Sequence, residues 1–378
     1  MLRTRSILLC ILAACACSGH AAAEDSAWEP AATTGGVPYQ SMDELRSFYK
    51  LSTGAQPSRK GAYTLALGDV RLEFGPGKRE MSIGGIRLAL SYPLHRDTAG
   101  NLLIAREDWV HWVDPILRPT YIAGRAPVRT VVIDAGHGGH DVGLSSPAVR
   151  EAEATLQIAA KLRAALEKLG LQVILTRTGD YFLSDQQRVD LANQAQNAVF
   201  VSLHLNSGRS DFRGARVYTL APGKPGSHPR PGNGLDSQHA ALAYALQSAL
   251  VRQAGAADGG CHCAHFSLLS SITCPAVWVE LGYATHEQEG PALASAAYQD
   301  TLAHALASGI ATYAHVADPA TTIPVQAPPP KVVVKNPPPT PKKTTTQETT
   351  KRQTPPANRR SSADSFRQRA RNSRTRSR

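Results

Sequence analysis

Hydrophobic and polar residues alternate in two different patterns along the chain. Between residues 63 and 118 they alternate with period two, which predicts strands at 70–74, 86–90 and 102–104 and then a helix at 107–117. From residue 128 onward, apolar runs of strand length alternate with stretches of helical spacing. The strands predicted there are 130–134, 171–176, 199–205 and 276–283, and the helices are 151–169, 184–197, 237–253 and 294–314.

This alternation predicts an α/β fold with a mixed, mostly parallel sheet flanked by helices. A small β-rich α+β domain is predicted to precede it. The expected boundaries are 45–120 for the small accessory domain and 128–316 for the main domain, and a length of 378 residues suits two domains. Catalytic groups are expected at the strand ends and in the loops that follow them.

The N-terminus has the pattern of an export signal. Arg3 and Arg5 precede an apolar segment, and the small residues Ala21 and Ala23 supply a cleavage site, so residues 1–23 are predicted to be a signal peptide. Residues 12–15 also resemble a bacterial lipobox, which would leave Cys15 lipid-anchored. Either reading predicts a protein exported to the periplasm, the extracellular space or the cell envelope. No later apolar run reaches the roughly 20 residues of a membrane span.

The net charge of +11 is concentrated in the C-terminal tail. Residues 318–378 contain 14 Lys and Arg against three acids, whereas the remainder is neutral. The tail is rich in Pro and has one aromatic residue, Phe366, so we expect a disordered segment. The tail is either a solvated linker or a segment that binds an anionic cell envelope electrostatically. Nucleic acid is not expected as a partner, because the chain carries an export signal and the tail lacks aromatics for base stacking.

Four polar residues stand out in the main domain. His137 lies in a glycine-rich turn after the first strand, Glu151 begins the first long helix, His204 lies near a strand end, and Glu280 lies in an apolar strand. Two histidines and one carboxylate would bind one zinc ion and leave a fourth position open for water. Such a zinc ion makes water acidic, and the second carboxylate can then accept the proton. The combination predicts hydrolysis of an amide.

At these positions the sequence resembles the bacterial zinc-dependent N-acetylmuramoyl-L-alanine amidases of type 3. The similar segments are residues 132–139, 151–156, 200–206 and 275–283 followed by Glu289. The resemblance implies that His137, Glu151 and His204 are zinc ligands and that Glu280 is the catalytic acid and base. It also implies Asn206 as a substrate-binding neighbour and peptidoglycan as the substrate. The bond cleaved would join N-acetylmuramic acid to L-alanine.

Several alternatives remain open at this stage. Glu153 competes with Glu151 as a ligand, although the spacing to Leu156 favours Glu151. Residues 258–266 are expected to form a loop that shapes substrate selection, and their Cys and His residues could hold a second metal. A disulfide from Cys261 or Cys263 to Cys274 is favoured instead, because the protein is expected to be exported. Residues 221–235 are short and turn-rich, and no autoinhibitory helix is expected.

Two other functions compete with the amidase. One is a zinc peptidase acting on peptides without sugar, and the other is a cell-wall-binding module without turnover. The protein is expected to be a monomer. The accessory domain is similar, over about 60 residues, to the copper amine oxidase N-terminal-like module, and it contains no candidate catalytic group.

Overall fold

The computed structural model describes residues 30–53, 62–221 and 234–321, which belong to one compact unit. The predicted signal peptide, Cys15, nearly all of the basic tail and most of residues 221–235 lie outside the described residues. Among the helices that are described, none is long and apolar enough to cross a membrane.

The N-terminal part is built mainly of short antiparallel strands. Those predicted at 70–74, 86–90 and 102–104 are confirmed as β5 (Val70–Phe74), β7 (Ile86–Ala89) and β9 (Leu102–Ala105). The other strands are β1 (Ala32–Thr34), β2 (Val37–Ser41), β3 (Ser52–Thr53), β4 (Tyr63–Leu67), β6 (Glu80–Ile83) and β8 (His95–Arg96). A small sheet has the order β1-β2-β9-β8.

The helical part of this region is more broken than its sequence predicts. Helix α1 (Met42–Phe48) follows β2. The helix expected at 107–117 consists of α2 (Arg106–Asp108), a π-helical turn (Trp109–Val113) and α3 (Asp114–Leu117) in direct succession. A short 3₁₀ turn (Pro119–Tyr121) comes next.

The main domain has the predicted α/β architecture. Its strands are β10 (Thr130–Ala135), β11 (Gln172–Leu175), β12 (Ala198–Asn206), β13 (Ala215–Leu220), β14 (Asp258–Ala264) and β15 (Ala276–Tyr283). Its helices are α4 (Glu151–Glu167), α5 (Asp185–Gln194), α6 (Asp236–Gln253), α7 (Ser267–Ser271), α8 (Glu289–Ala294) and α9 (Ala296–Ala317). The strand order is β11-β10-β12-β15-β13-β14, and only the β13–β15 pair is antiparallel. The mixed, mostly parallel sheet is therefore confirmed.

This sheet continues into the N-terminal strands. Cys261 of β14 pairs with Leu88 of β7, which extends the order through β7-β6-β5-β4-β3 to eleven strands. Asp258 fixes the junction, because its carboxylate accepts hydrogen bonds of 2.8 Å from the backbone of Arg87 and from the side chain of Gln247 on α6. The accessory and main segments thus share one sheet.

In the main domain, strands β13 and β14 were not predicted from the sequence, and β14 replaces the expected loop. Residues 258–266 were expected to be a loop, but Asp258–Ala264 forms β14 between β13 and β7. Its Gly259 packs so closely on β13 that an added Cβ would lie 2.4 Å from the carbonyl oxygen of Ala215. The close packing of β14 on β13 therefore requires a glycine at this position. Glycine is uncommon in strands, so the same residue argued against a strand in the sequence.

The predicted disulfide to Cys274 is wrong. Cys261, Cys263 and Cys274 are all free thiols. Cys261 and Cys263 belong to the larger apolar cluster, which includes Val131 and Val277, whereas Cys274 packs against the cluster that includes Val132 and Ala276. Adjacent residues of a strand point to opposite faces, so the sheet separates Cys274 from the other two thiols.

Candidate active site and metal centre

The predicted metal ligands come together at one edge of the sheet. Strand β10 ends at Ala135, next to Leu203 of β12, so the residues that follow each strand meet at the same edge. His137 follows β10, His204 lies near the end of β12, and Glu151 is the first residue of α4. One donor atom from each of these side chains lies within 4.8 Å of the others.

Glu151 lies between the two histidines. Its Oε1 is 3.2 Å from Nε2 of His137 and 3.0 Å from Nδ1 of His204. The backbone amides of Leu205 and Leu144 donate to its two oxygens at 2.9 and 2.8 Å. Burial alone would raise the pKa of Glu151, but the hydrogen bonds from His137 and His204 hold it well below its usual value. The carboxylate is therefore ionised and fixed in place.

Each histidine is held by its surroundings in a different way. His137 has a left-handed backbone (φ 63°), and its Nδ1 lies 2.8 Å from Oδ2 of Asp141. Burial lowers the pKa of His137, but Glu151 and Asp141 more than offset this and raise it. Burial keeps the pKa of His204 below its usual value despite Glu151. The surroundings therefore favour the neutral form of His204 and the protonated form of His137, each relative to a free imidazole.

Two glycines make room for these side chains. A Cβ added to Gly136 would lie 2.3 Å from the His204 ring. A Cβ added to Gly143 would lie 2.5 Å from His137 and 2.7 Å from Oε2 of Glu151. At positions 136 and 143, therefore, only glycine fits without displacing His137, Glu151 or His204.

A buried ionic network supports the edge of the sheet beneath the site. Asp134 of β10 is 1% exposed and forms an ion pair with Arg188 of α5. Its carboxylate also accepts hydrogen bonds of 2.7 Å from Ser202 and from Thr176. This network joins β10, β12, α5 and the end of β11, and so fixes the strand ends that carry the histidines.

Glu280 of β15 lies beside this group. In the sheet it is directly opposite His204 on one side and Arg216 on the other. Asn206 donates a hydrogen bond to its Oε2, and the hydroxyl of Tyr218 lies 3.4 Å from the same oxygen. Burial raises the pKa of Glu280 to about 7, although Arg216, Asn206 and Tyr218 each act to lower it.

The other candidate metal ligands, Glu153 and the residues around Cys261 and Cys263, lie outside this group. Glu153 is exposed, and its carboxylate accepts a hydrogen bond from Gln157, away from the histidines. Within the described ranges, the residues around Cys261 and Cys263 form no group able to hold a metal ion. The ring of His262 instead contacts the carbonyl oxygen of Gly259 at 2.9 Å.

Several neighbours of the site were not identified from the sequence. Asp141 has a signal that could have revealed it, because it follows His137 by four residues in the same glycine-rich turn. Trp278 stacks on His204 with ring centroids 3.4 Å apart, and it lies two residues before Glu280 on the same face of β15. Arg216 and Tyr218 lie on β13, a strand that was not predicted.

Comparison with known proteins finds a family match and several similar sequences. Residues 131–312 match the protein family described as N-acetylmuramoyl-L-alanine amidase. The uncharacterized protein YqiI of Bacillus subtilis is 31% identical over 185 residues, which are 49% of this chain and 84% of YqiI. The amidase LytC of the same organism is 30% identical over 49% of this chain, but only 35% of LytC is covered.

Solved structures of amidases are also similar to about half of the chain. The amidase AmiC2 of Nostoc punctiforme is 34% identical, with 50% of this chain and 98% of that chain covered and a TM-score of 0.43. The family match covers the part of the chain that contains His137, Glu151, His204 and Glu280. The chain therefore belongs to the N-acetylmuramoyl-L-alanine amidase family, a family of enzymes that act on peptidoglycan.

Proposed function

We propose that the protein is a zinc-dependent hydrolase of the amide bond between N-acetylmuramic acid and the L-alanine of the peptidoglycan stem peptide. The observation that carries this proposal is the proximity of His137, Glu151 and His204, with Glu280 opposite His204 on the next strand. The family supplies the substrate class, and these residues supply a chemistry suited to it.

The residues present fit a zinc ion. Zinc prefers nitrogen and carboxylate donors at about 2.0–2.2 Å, so two ligands of a tetrahedral ion lie roughly 3.3 Å apart. The distance from Nε2 of His137 to Oε1 of Glu151 is 3.2 Å. The contact of His137 with Asp141 is also typical of metal-binding histidines, which commonly donate their second ring N–H to a carboxylate.

His137, Glu151 and His204 would hold the ion. When bound, zinc lowers the pKa of water to about 7 and polarises the carbonyl of the amide. Three protein ligands leave a coordination position for that water, as catalytic rather than structural sites require.

Glu280 is proposed to move the proton. Its carboxylate accepts a proton from the attacking water and returns it to the nitrogen of alanine as the amide bond breaks. A pKa of about 7 suits both steps near neutral pH, because the group gains and loses a proton at similar cost. Asn206 and Tyr218 orient the carboxylate through its Oε2.

The location and partners of the protein follow from this activity as proposals. Its substrate lies outside the cytoplasm, in agreement with the predicted export signal. Lipid attachment through Cys15 and adhesion of the basic tail to an anionic envelope remain predictions, as does the monomeric state.

Product analysis tests the proposed function. Purified peptidoglycan would be incubated with the full chain, with and without a zinc chelator, and the products identified by mass spectrometry. The proposal predicts free stem peptides that begin with L-alanine, an intact glycan, and no release in chelator. Cleavage inside the peptide would instead establish a zinc peptidase, and binding without product would establish a cell-wall-binding module.

A further inference from the structure

We propose that Arg177 is a positioning residue of the metal centre, because its guanidinium joins the two chain segments that carry His137 and Glu151. Arg177 lies two residues beyond the end of β11 and is not among the candidate ligands. The inference rests on the proposed function, since it concerns the geometry of the proposed zinc ligands, and it extends that function to a residue outside the ligand group.

The guanidinium of Arg177 is enclosed by protein. The residue is 0% exposed and is among the largest fully buried side chains of the described residues. In that part of the chain all of its side-chain hydrogen bonds go to uncharged oxygens. The carboxylates of Asp134 and Asp180 attract it only from beyond ion-pair distance. A buried charge without a close counter-ion is costly, so its contacts must offset a large loss of hydration.

One set of contacts holds the turn before His137. Nε of Arg177 donates a hydrogen bond of 2.8 Å to the carbonyl oxygen of Ala135, and Nη2 donates one of 2.8 Å to that of Gly136. These two residues directly precede His137, whose own backbone is left-handed. Arg177 therefore helps to set the direction in which the His137 side chain leaves the end of β10.

A second set of contacts holds the start of helix α4. Nη2 of Arg177 also donates a hydrogen bond of 2.6 Å to the carbonyl oxygen of Ala152, the residue after Glu151. Thr155, one turn further along, adds another link. Its hydroxyl lies 3.0 Å from the carbonyl oxygens of both Gly136 and Glu151, and 3.2 Å from Nη2. Arg177 and Thr155 thus couple the start of α4 to the end of β10.

A third contact ties in the loop after β11. Nη1 of Arg177 donates a hydrogen bond of 3.1 Å to the carbonyl oxygen of Gly179. The same loop returns to the glycine-rich turn, because Asp180 accepts a hydrogen bond of 2.8 Å from the backbone of Gly139. The turn that carries His137 is thereby held on both sides of the histidine.

The shape of the guanidinium explains why an arginine fits this position. Its N–H groups point outward in a rigid planar fork, so one side chain can bind carbonyls of several segments at fixed angles. A lysine keeps the charge but has a single nitrogen, which cannot replace contacts made by three nitrogens. The alternative role, stabilisation of the fold alone, predicts lower stability with unchanged metal coordination.

Arg177→Lys tests the proposal, and Arg118→Lys is the matched control. Arg118 is also buried, at 7% exposure, but it pairs with Asp114 in the accessory segment. Both variants should unfold at lower urea concentration than the unmodified full chain. Only Arg177→Lys should weaken zinc binding, about 10- to 100-fold, as expected for a residue that orients metal ligands. Zinc affinity would be measured by competition with a chelator.

Cobalt supplies a readout that a purely structural role would not move. The visible absorption band of Co²⁺ depends on the geometry of its ligands. With Co²⁺ bound in place of zinc, Arg177→Lys should shift or weaken this band, whereas Arg118→Lys should leave it as in the unmodified protein. Normal zinc affinity or an unchanged cobalt band in a folded Arg177→Lys protein would overturn the proposal.

Two variants of Thr155 decide the question if Arg177→Lys does not fold. Thr155→Val keeps the shape of the side chain but removes the hydroxyl, and it should weaken zinc binding about tenfold. Thr155→Ser keeps the hydroxyl and should bind zinc normally. Equal zinc affinities in these two variants would overturn the proposed coupling of α4 to β10.

The two proposals fail separately. Zinc binding that depends on Arg177 in a protein that releases no stem peptide would contradict the proposed function and support the role of Arg177. Release of stem peptide by an Arg177→Lys protein with the zinc affinity of the unmodified chain would contradict the role of Arg177 alone.

Discussion

At the scale of single residues, the site depends on opposing influences on each pKa. Glu151 is buried yet ionised, because two histidines and two backbone amides contact its oxygens. Glu280 is also partly buried, but the groups that stabilise its negative charge do not offset the effect of burial, so its pKa rises to about 7. The two carboxyl groups at this edge of the sheet therefore differ: Glu151 stays ionised, as the proposed metal ligand requires, and Glu280 can exchange protons near neutral pH.

Glu280→Gln tests the proton-transfer role. The amide keeps the shape of the side chain but cannot accept a proton, so hydrolysis should fall at least a hundredfold. Bound zinc should remain, since Glu280 is not in the ligand group. Turnover on a soluble muropeptide and the zinc content of the same sample would be measured.

Glu153→Gln is the control, because Glu153 is exposed and contacts only Gln157 among the contacts described. It should retain full activity. An active Glu280→Gln protein would refute the role given to Glu280.

Asp141→Asn tests the support of His137. The variant removes the charge that orients the ring and favours its N–H, and zinc affinity should fall about 10- to 100-fold. Affinity would be measured by competition with a chelator of known strength. Asp211→Asn is the control, because it removes only an exposed ion pair with Arg209, and it should bind zinc like the unmodified protein. Equal zinc affinities in the two variants would contradict the role of Asp141.

At the scale of elements, the sequence predicts the strand ends well and the contacts between strands poorly. His137, Glu151, His204 and Glu280 could be identified because each lies at a recognisable strand or helix position. Arg216 could not, because its contact with Glu280 depends on the pairing of β13 with β15. Strand β14 was missed because Asp258, Gly259 and Gly260 lack the alternation that indicates a strand.

Gly136→Ala tests how closely β10 and β12 must approach at the site. The new methyl group would lie 2.3 Å from the His204 ring and must displace it, so zinc binding should be lost while the circular dichroism spectrum is retained. Gly179→Ala is the control, because its methyl group would make only ordinary contacts of 3.5 Å with Tyr181. Normal zinc binding by Gly136→Ala would show that the site does not need this close approach.

At the scale of the whole molecule, one sheet unites the segments that the sequence presents as separate domains. The junction includes the Cys261–Leu88 pair and the contacts of Asp258 with Arg87, which lies 171 positions away in the sequence. The periodicity of hydrophobic residues predicts local elements, but it does not predict contacts between residues this far apart in the sequence. The fold class could therefore be predicted from the sequence, whereas the continuity of the sheet could not.

The buried histidines predict how stability depends on pH. His239 is fully buried, and its Nδ1 accepts a hydrogen bond of 2.8 Å from the backbone of Ala276. Burial lowers the pKa of His239 to about 4 and that of His111 to about 3. Both are neutral when folded and become protonated near pH 6.5 when unfolded, so stability is complete above that pH and falls as the pH decreases toward 4.

His239→Asn should reduce this dependence. The asparagine oxygen can accept the same backbone hydrogen bond but does not titrate, so the slope below pH 6 should fall by about 1.4 kcal/mol per pH unit. The free energy of unfolding in urea would be measured at pH 7 and pH 5 for both proteins, and the difference between the two pH values compared. An unchanged slope would contradict the buried neutral state of His239.

The most direct test of the central claim is the zinc stoichiometry of the folded chain together with its activity. Metal-free protein would be titrated with zinc, and bound metal and peptide release from muropeptide followed in the same samples. The account predicts that both rise together and saturate at one zinc per chain, and that Glu151→Gln lowers both. Activity in metal-free protein, or saturation of zinc binding without any gain in activity, would contradict it.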